Sequence, residues 1–255
     1  MIVCKSPAEL ERMRAANALV ADVLAELAEM VAPGITTKEL DAAAEKLVRD
    51  GGAEPAFKGY RGYPSTLCAS VNEQVVHGIP STRPLGDGDI ISLDMGVKLN
   101  GFYGDSAVTV PVGKVSDEAA TLLRITRESL EKGIAQVRLG GRISDIGHAI
   151  QLHVEAHGFS VVREFVGHGI GAALHEEPQI ANYGEPGRGP RLAEGMTLAI
   201  EPMVNVGRPA VRVLADGWTA VTKDGSLSAH FEHTVAVTKT GPLVLTRRSV
   251  SAPAA

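Results

Sequence analysis

Cysteine is scarce in this sequence, which contains only Cys4 and Cys68 among its 255 residues. Two cysteines cannot form the disulfide framework of a small secreted protein, and free thiols are typical of a reducing cytosol. Long apolar runs are also missing, because no stretch of 18 residues has the composition of a membrane span. Charged residues interrupt residues 1–19, so no signal peptide is expected there. We therefore predict a cytoplasmic protein that does not associate with membranes.

An excess of positive charge is absent as well. The formal net charge is −5, so the chain as a whole has no basic field that would attract nucleic-acid phosphates, and specific nucleic-acid binding is not expected. The composition, 44% hydrophobic and 22% charged, is that of an ordinary globular protein. We expect one domain over residues 1–250 and a flexible tail over residues 247–255, where serine and proline alternate with alanine and valine.

Four helices are predicted from capping signals and apolar spacing. The first begins at Ser6, which is followed by Pro7 at the first helical position and Glu9 as a capping-box acid. Similar signals precede the other three. The expected bounds are residues 6–31, 37–51, 116–137 and 144–158. The intervening segments, residues 53–112 and 159–245, contain short apolar runs separated by turn residues, which is typical of strands.

The order of helix, helix and strands occurs twice. Matching residues lie 106 positions apart along the helices and 107 apart along the strands. The matched pairs are Gly34 and Gly140, Glu39 and Asp145, Leu40 and Ile146, Ala43 and Ala149, Val48 and Val154, Gly52 and Gly158, Leu85 and Leu192, and Asp94 and Glu201. A duplication predicts an α+β fold of two pseudo-symmetric halves, over about residues 1–112 and 113–246. Two related carboxylates, Asp94 and Glu201, would then face each other across a pseudo-twofold axis. A second echo, His77-Gly-Ile against His168-Gly-Ile, places a histidine in each half.

Four carboxylates lie within or beside apolar strand sequence: Asp94, Asp105, Glu201 and Glu232. A buried carboxylate is costly unless its charge is compensated. Together with His168 they form a set of hard oxygen donors and one nitrogen. Such a set suits two divalent ions bridged by carboxylates better than one zinc ion held by cysteine and histidine, and two adjacent ions can activate water. The combination predicts a dinuclear metal hydrolase.

Each of these residues has an ordinary structural interpretation when it is taken alone. An acid at a strand end is more often a surface group, and a single histidine such as His168 or His175 more often has a structural role. Trp218 could equally pack in a core or line a pocket. The combination, rather than any one residue, favours a metal site.

Several segments resemble the type I methionine aminopeptidases of the pita-bread metallopeptidase family, in their short bacterial form. The resemblance extends over about residues 3–246. Its clearest segments are Val-His-Gly-Ile-Pro at 76–80, Asp-Met-Gly-Val at 94–97, Gly-Phe-Tyr-Gly-Asp at 101–105, Gly-His-Gly-Ile-Gly at 167–171, Ala-Ile-Glu-Pro-Met at 199–203 and Ser-Leu-Ser-Ala-His-Phe-Glu-His-Thr at 226–234. It implies a pita-bread fold, in which helices cover a curved antiparallel sheet. It also implies removal of the N-terminal methionine from nascent proteins whose second residue is small.

The same resemblance implies a metal site and its chemistry. The ligands of two divalent ions (cobalt, manganese, iron, nickel or zinc) would be Asp94, Asp105, His168, Glu201 and Glu232, with Asp105 and Glu232 bridging both ions. Glu201 would also take a proton from the attacking water and pass it to the leaving amine. His175 would polarise the scissile carbonyl, and His77 would steady the peptide nitrogen and the tetrahedral intermediate.

The resemblance further implies a pocket for the methionine side chain. Its walls would be Phe57, Tyr60, Tyr63, Cys68, Leu174 and Trp218. Three positions depart from familiar bacterial members: Phe57 replaces a common cysteine, Leu174 a common phenylalanine, and His230 a common glutamine. A monovalent cation, sodium or potassium, would bind near Asn72, Gln74 and Ser228.

The expected partners are the N-termini of nascent polypeptides, with transient ribosome contact, and the expected state is a monomer. Two alternatives stay open. One is a ligand-retaining pita-bread peptidase of other specificity, similar to prolidase. The other is a pita-bread protein that binds partners without catalysis, which would have no need of five intact ligands. The sequence contains no Gly-x-Ser-x-Gly elbow, His-Glu-x-x-His helix or Walker A loop, which excludes several other hydrolase mechanisms.

Overall fold

The computed structural model describes residues 1–248 of the chain. Its α-helices are α1 (Pro7–Met30), α2 (Thr37–Asp50), α3 (Asp117–Ile134) and α4 (Ile143–Ala156). The start of α1 is as predicted, because the Ser6 hydroxyl accepts from the backbone of Glu9 while the Glu9 carboxylate accepts from the backbone of Ser6. The helix α4 begins one residue before the predicted Ser144, and α3 ends three residues before the predicted Val137.

Fifteen strands are present within the described residues. They are β1 (Glu54–Pro55), β2 (Cys68–Val71), β3 (Gln74–Val76), β4 (Ile90–Leu99), β5 (Phe102–Pro111), β6 (Ser160–Val161), β7 (Gly167–Gly169), β8 (Glu176–Ile180), β9 (Thr197–Ile200), β10 (Met203–Asn205), β11 (Val211–Val213), β12 (Ala220–Thr222), β13 (Ser228–His230), β14 (Glu232–Thr238) and β15 (Gly241–Val244). Nine of them form one antiparallel sheet in the order β1-β4-β5-β14-β9-β7-β8, with β2 also paired to β4 and β15 to β14. Two three-stranded sheets, β13-β10-β6 and β11-β12-β3, complete the strands.

The predicted duplication is visible in the hydrogen bonds. The Gly34 amide donates to the Leu85 carbonyl, and the matched Gly140 amide donates to the Leu192 carbonyl, both at 2.8 Å. In the large sheet, β4 and β9 flank the central pair β5 and β14, so the two halves meet between the central strands. His77 and His168, which follow a similar pattern in the two halves of the sequence, do not occupy equivalent positions in the sheets. His168 lies in β7 of the large sheet, whereas His77 directly follows β3 of a small one.

The helices cover one face of the large sheet and leave the other face for polar side chains. In β4, Leu93 and Met95 pack with α1 and α2 in one apolar cluster. In β9, Leu198 and Ile200 pack with α3 and α4 in another. Because side chains alternate along a strand, Asp94 points to the face opposite the helices.

No helix within residues 1–248 is long and apolar enough to cross a membrane. At the end of the described chain, the Arg247 guanidinium bonds to Glu131 at 2.6 Å and that of Arg248 to Asp22 at 3.1 Å. The remainder of the predicted flexible tail, residues 249–255, lies outside the described residues.

Candidate active site

Sheet pairing brings the four predicted carboxylates together. Ala107 of β5 lies opposite Asp94 of β4 on one side and opposite Glu232 of β14 on the other. Residues that lie opposite each other in an antiparallel sheet share a face, so these two carboxylates project from the same face. Asp105 is two residues before Ala107 and shares that face. Glu201 follows Ile200, which lies opposite His233, so it continues the same row beside Glu232.

The histidine predicted as a ligand, His168, points at this row. It lies in β7 opposite Ala199 of β9, on the same face as Glu201 two residues later. Its Nδ1 lies 2.9 Å from the Gly169 carbonyl oxygen, which can only accept, so Nδ1 carries the proton. The free Nε2 then faces Glu201, 3.6 Å from Oε1.

The glycines beside His168 allow the strands to approach closely. A Cβ atom at Gly167 would lie 2.3 Å from the Ala199 carbonyl oxygen, and one at Gly169 would lie 2.2 Å from that of Glu177. The neighbouring strands β8 and β9 therefore approach β7 closely on both sides of His168.

One cavity of about 160 Å³ contains every residue predicted as catalytic, metal-binding or substrate-binding. Its lining comprises Asp94, Asp105, His168, Glu201, Glu232, His77, His175, Phe57, Tyr60, Tyr63, Cys68, Leu174, Trp218 and Arg61. The charged groups and the apolar groups thus line a single space, although they come from both halves of the chain.

Aromatic contacts hold the two outer histidines. The His175 ring stacks on Tyr60, with centroids 5.3 Å apart, and its Nδ1 lies 3.0 Å from the Tyr60 hydroxyl. The His77 ring meets Trp218 edge to face at 6.3 Å, and Tyr63 meets Trp218 in the same way at 5.2 Å. His77 has a φ of 60°, a left-handed backbone conformation that a non-glycine residue rarely adopts.

The apolar walls include two of the three residues that depart from familiar bacterial members. Gly96 leaves room for Phe57, because a Cβ atom at Gly96 would lie 2.9 Å from the Phe57 ring. Leu174 is buried and packs with Met13 and Phe102. Cys68 lies opposite Asp94 in the sheet, and burial raises the pKa of its thiol, so the thiol stays protonated.

Burial dominates the electrostatics of the site. It raises the pKa of Asp94 to about 7. Burial, and then repulsion by neighbouring carboxylates, also raises the pKa of Asp105, Glu201 and Glu232. Burial and the nearby His175 lower the pKa of His77 and of His168 to about 4, so both imidazoles are neutral at pH 7.

The residues present fit divalent cations. Ligand atoms of Asp105, His168 and Glu232 all lie within 4.8 Å of one another. Carboxylate oxygens of Asp94, Asp105 and Glu232 are buried without a hydrogen-bond partner among residues 1–248. None of the four carboxylates forms an ion pair with a described lysine or arginine, so their charge is compensated either by protons or by bound cations, and this set of oxygen and nitrogen donors suits divalent cations.

Replacement of Gly167 by alanine should weaken divalent-metal binding by about 10-fold to 100-fold, because the added methyl group pushes β7 and His168 away from β9. Calorimetric titration with Mn²⁺ measures the effect. The matched control is Gly86→Ala, where the nearest atom to the new Cβ lies at 3.5 Å, an ordinary contact. Equal affinities of the two variants would contradict the positioning of His168 described above.

Two further residues, Arg61 and His230, lie close to the predicted catalytic side chains. Arg61 was not identified from the sequence, and its place between two pocket tyrosines is the only signal that could have pointed to it. Its guanidinium lies 5.4 Å from the centre of the Tyr60 ring and, after burial, is the second cause of the lowered pKa of His175. His230 lies with its Nε2 3.8 Å from Glu201, and burial lowers its pKa to about 3.

The residues expected near a monovalent cation lie together, outside this cavity. The Ser228 amide donates to the Asn72 carbonyl at 2.9 Å. The side-chain oxygen of Gln74 accepts from the backbone of Val71 at 2.9 Å.

The match to a family model agrees with this site. Residues 11–239 match the model described as Metallopeptidase family M24. The chain belongs to metallopeptidase family M24. Divalent-metal binding, which the sequence predicted, is a property that this family implies.

Within this family, the chain is similar to individual methionine aminopeptidases. The chain is 58% identical over 247 residues to methionine aminopeptidase 1 of Bacillus subtilis, covering 97% of this chain and 100% of that one. The crystal structure of methionine aminopeptidase from Thermotoga maritima superposes with a TM-score of 0.96 at 48% identity, covering 97% of this chain and 100% of that chain. The resemblance to methionine aminopeptidases and the pita-bread fold are both confirmed.

A more distant structure shares only the fold. Prolidase from Pyrococcus furiosus superposes with a TM-score of 0.79 at 22% identity, covering 97% of this chain and 66% of that one. The prolidase-like alternative is therefore not favoured over the methionine aminopeptidases.

Proposed function

We propose that this protein is a metal-dependent aminopeptidase that removes the N-terminal methionine from nascent polypeptides whose second residue is small. The observation that carries the proposal is the convergence of four carboxylates and His168 on one side of a cavity with apolar and aromatic walls. The high identity to a methionine aminopeptidase over almost the whole chain supports the same activity.

Two divalent ions would be held by the five ligands predicted from the sequence. Asp105 and Glu232 come from the central strands β5 and β14, whereas Asp94 and Glu201 come from the flanking strand β4 and the end of β9. This order places the central pair between the flanking pair, so all four carboxylates would hold the ions from one row. When bound, the ions supply Lewis acidity for the attack of water on the peptide carbonyl.

Glu201 is the residue that moves the proton in this proposal. Its carboxylate continues the row of carboxylates beside Glu232 and lines the cavity, so it would take a proton from water and then deliver it to the leaving amine. The side chain is 14% exposed, so it remains accessible from the cavity.

Neutral histidines orient the substrate. His175 is fixed by Tyr60 at the outer side of the cavity and would donate to the carbonyl oxygen as negative charge develops there. His77 would contact the nitrogen of the scissile bond. Because the pKa of both rings is lowered, each carries one proton at pH 7 and acts as a neutral hydrogen-bonding group.

The apolar part of the cavity would accept the methionine side chain. Phe57, Tyr60, Tyr63, Cys68, Leu174 and Trp218 form its walls. A flexible thioether suits such a space, because it is apolar and makes favourable contacts with aromatic rings. A monovalent cation near Asn72, a cytoplasmic location, transient ribosome contact and a monomeric state belong to the same proposal.

Peptides with different second residues test this specificity. The metal-loaded protein should release methionine from Met-Ala-Ser at least about a hundredfold faster, in kcat/KM, than from Met-Lys-Ser. Equal cleavage of both peptides would refute the preference for small second residues. Cleavage of a Met-Pro dipeptide without cleavage of Met-Ala-Ser would instead support the prolidase-like alternative.

A further inference from the structure

A buried ion pair joins the N-terminal segment to the loop that presents His175. The Lys5 ammonium bonds to the carboxylate of Glu176, and their side chains are 3% and 12% exposed. We infer that Lys5 and Glu176 are positioning residues, which hold the loop of residues 171–175 so that His175 and Leu174 meet the substrate in the productive geometry. This inference rests on the function proposed above.

Two glycines make room for Lys5. A Cβ atom at Gly171 would lie 2.6 Å from the Lys5 Nζ and 2.6 Å from the Glu176 Oε1, so a side chain at this position would displace the ion pair. A Cβ atom at Gly195 would lie 2.4 Å from the Lys5 carbonyl oxygen. The absence of a side chain at Gly171 leaves room for the side chain of Lys5, and its absence at Gly195 leaves room for the backbone of Lys5.

Hydrogen bonds secure each partner of the ion pair. The Lys5 amide donates to the Gly195 carbonyl at 2.7 Å, and its ammonium also donates to the Val3 carbonyl at 3.1 Å. On the loop side, the second oxygen of Glu176 accepts from the amide of Ala173 at 3.2 Å. The ion pair is therefore tied to the N-terminal segment at one end and to the loop itself at the other.

The loop carries two residues of the cavity wall directly before Glu176. Leu174 is buried in the apolar wall, and His175 contacts both Tyr60 and the ligand His168, whose ring centroid is 4.2 Å away. Because Glu176 also begins β8, a shift of its carboxylate would move the neighbouring His175 relative to the metal ligands. A displacement of about 1 Å in a substrate-contacting group can cost about a hundredfold in rate.

The ion pair between Lys5 and Glu176 suits the positioning of the loop better than the stabilisation of the fold. A buried ion pair contributes little net stability compared with well-packed apolar residues of similar size, whereas removal of one partner leaves an uncompensated charge. An ion pair with further hydrogen bonds, however, defines a direction and a distance that an apolar contact does not. That property suits a tether for a loop that must place an imidazole.

The test compares Lys5→Met, the isosteric Glu176→Gln and the conservative Lys5→Arg with Leu27→Ala. Leu27 is fully buried in the cluster of α1 and α2, so its replacement destabilises the fold without contact to the loop. All variants carry metal, and kcat and KM for Met-Ala-Ser are measured well below their melting temperatures. Hydrogen exchange of residues 171–176 is measured in parallel, because it reports on the loop whether or not the protein is active.

Lys5→Met and Glu176→Gln should each lose about tenfold or more in kcat/KM, with faster exchange in residues 171–176. Lys5→Arg should restore most of the activity because it keeps the charge, and Leu27→Ala should change neither quantity. If Lys5→Met and Glu176→Gln lower only the melting temperature, as Leu27→Ala does, the positioning role is wrong. If the wild type releases no methionine, the proposed function fails, while the exchange data still decide whether the ion pair holds the loop.

Discussion

Glu201→Gln should lose at least about a thousandfold in kcat for release of methionine from Met-Ala-Ser. Glutamine has nearly the same shape but cannot take a proton from water, and its neutral oxygen is a weaker ligand for a divalent ion. The fold should be unchanged, because glutamine relieves the repulsion from Asp94 and Asp105 that accompanies a charged Glu201. Steady-state kinetics, together with circular dichroism, measures both properties.

The matched control for this substitution is Glu194→Gln. Glu194 lies in the same half of the chain, its side chain is 53% exposed, and its contact with Lys239 spans 3.6 Å. An exposed pair of this kind contributes little, so the variant should keep wild-type activity. If Glu201→Gln retained activity within about tenfold of the control, another group would have to move the proton.

The second large effect concerns stability. Saturating Mn²⁺ should raise the melting temperature of the metal-free protein, and the rise should grow between pH 5 and pH 8. At a metal concentration of about 100 times Kd, the gain is about 2.7 kcal/mol. For a chain of this size, that corresponds to a rise of about 5 to 10 °C.

The pH dependence follows from the direction of the pKa shifts. Without metal, the folded protein holds a proton on Asp94 up to a pH of about 7, and burial and neighbouring carboxylates also raise the pKa of Glu232, whereas the unfolded chain releases these protons near pH 4. The metal-free fold is therefore progressively destabilised by these carboxylates as the pH rises through this range. Divalent ions compete with the same protons, so they bind more tightly at high pH.

Two buried histidines change the folding stability with pH in the opposite direction, and they do so in both the metal-free and the metal-loaded protein. His77 and His233, with pKa values lowered to about 4, favour the folded state less as the pH falls below about 6.5. The quantity to measure is thus the difference between the metal-loaded and metal-free melting temperatures at each pH. Asp105→Asn is the control, and it should lose most of the difference. A difference that is absent at every pH would contradict the metal site.

Much of the site could be predicted because the residues next to its side chains in the sequence indicate whether those side chains are buried. Asp94 and Glu201 each follow apolar strand residues at matching positions of the two halves, and the sheet indeed places them on either side of the central strands. The roles of these residues came from the family resemblance rather than from the pattern.

Contacts that only tertiary packing creates could not be predicted. Lys5 and Glu176 lie 171 residues apart, and each is flanked by sequence that is compatible with an exposed charge. The position of Arg61 at the cavity depends on a left-handed turn of its backbone, with a φ of 50°, which no local signal requires. His77 and His168 are placed differently because His77 follows a strand of a small sheet, whereas His168 lies in a strand of the large sheet.

The most direct measurement follows bound metal and methionine release together, as Mn²⁺ or Co²⁺ is added to metal-free protein with Met-Ala-Ser as substrate. The five proposed ligands, which come from both halves of the chain, predict no release without metal, and activity that rises as up to two ions bind per chain. Full activity in the metal-free protein, or metal binding without release of methionine, would contradict the account.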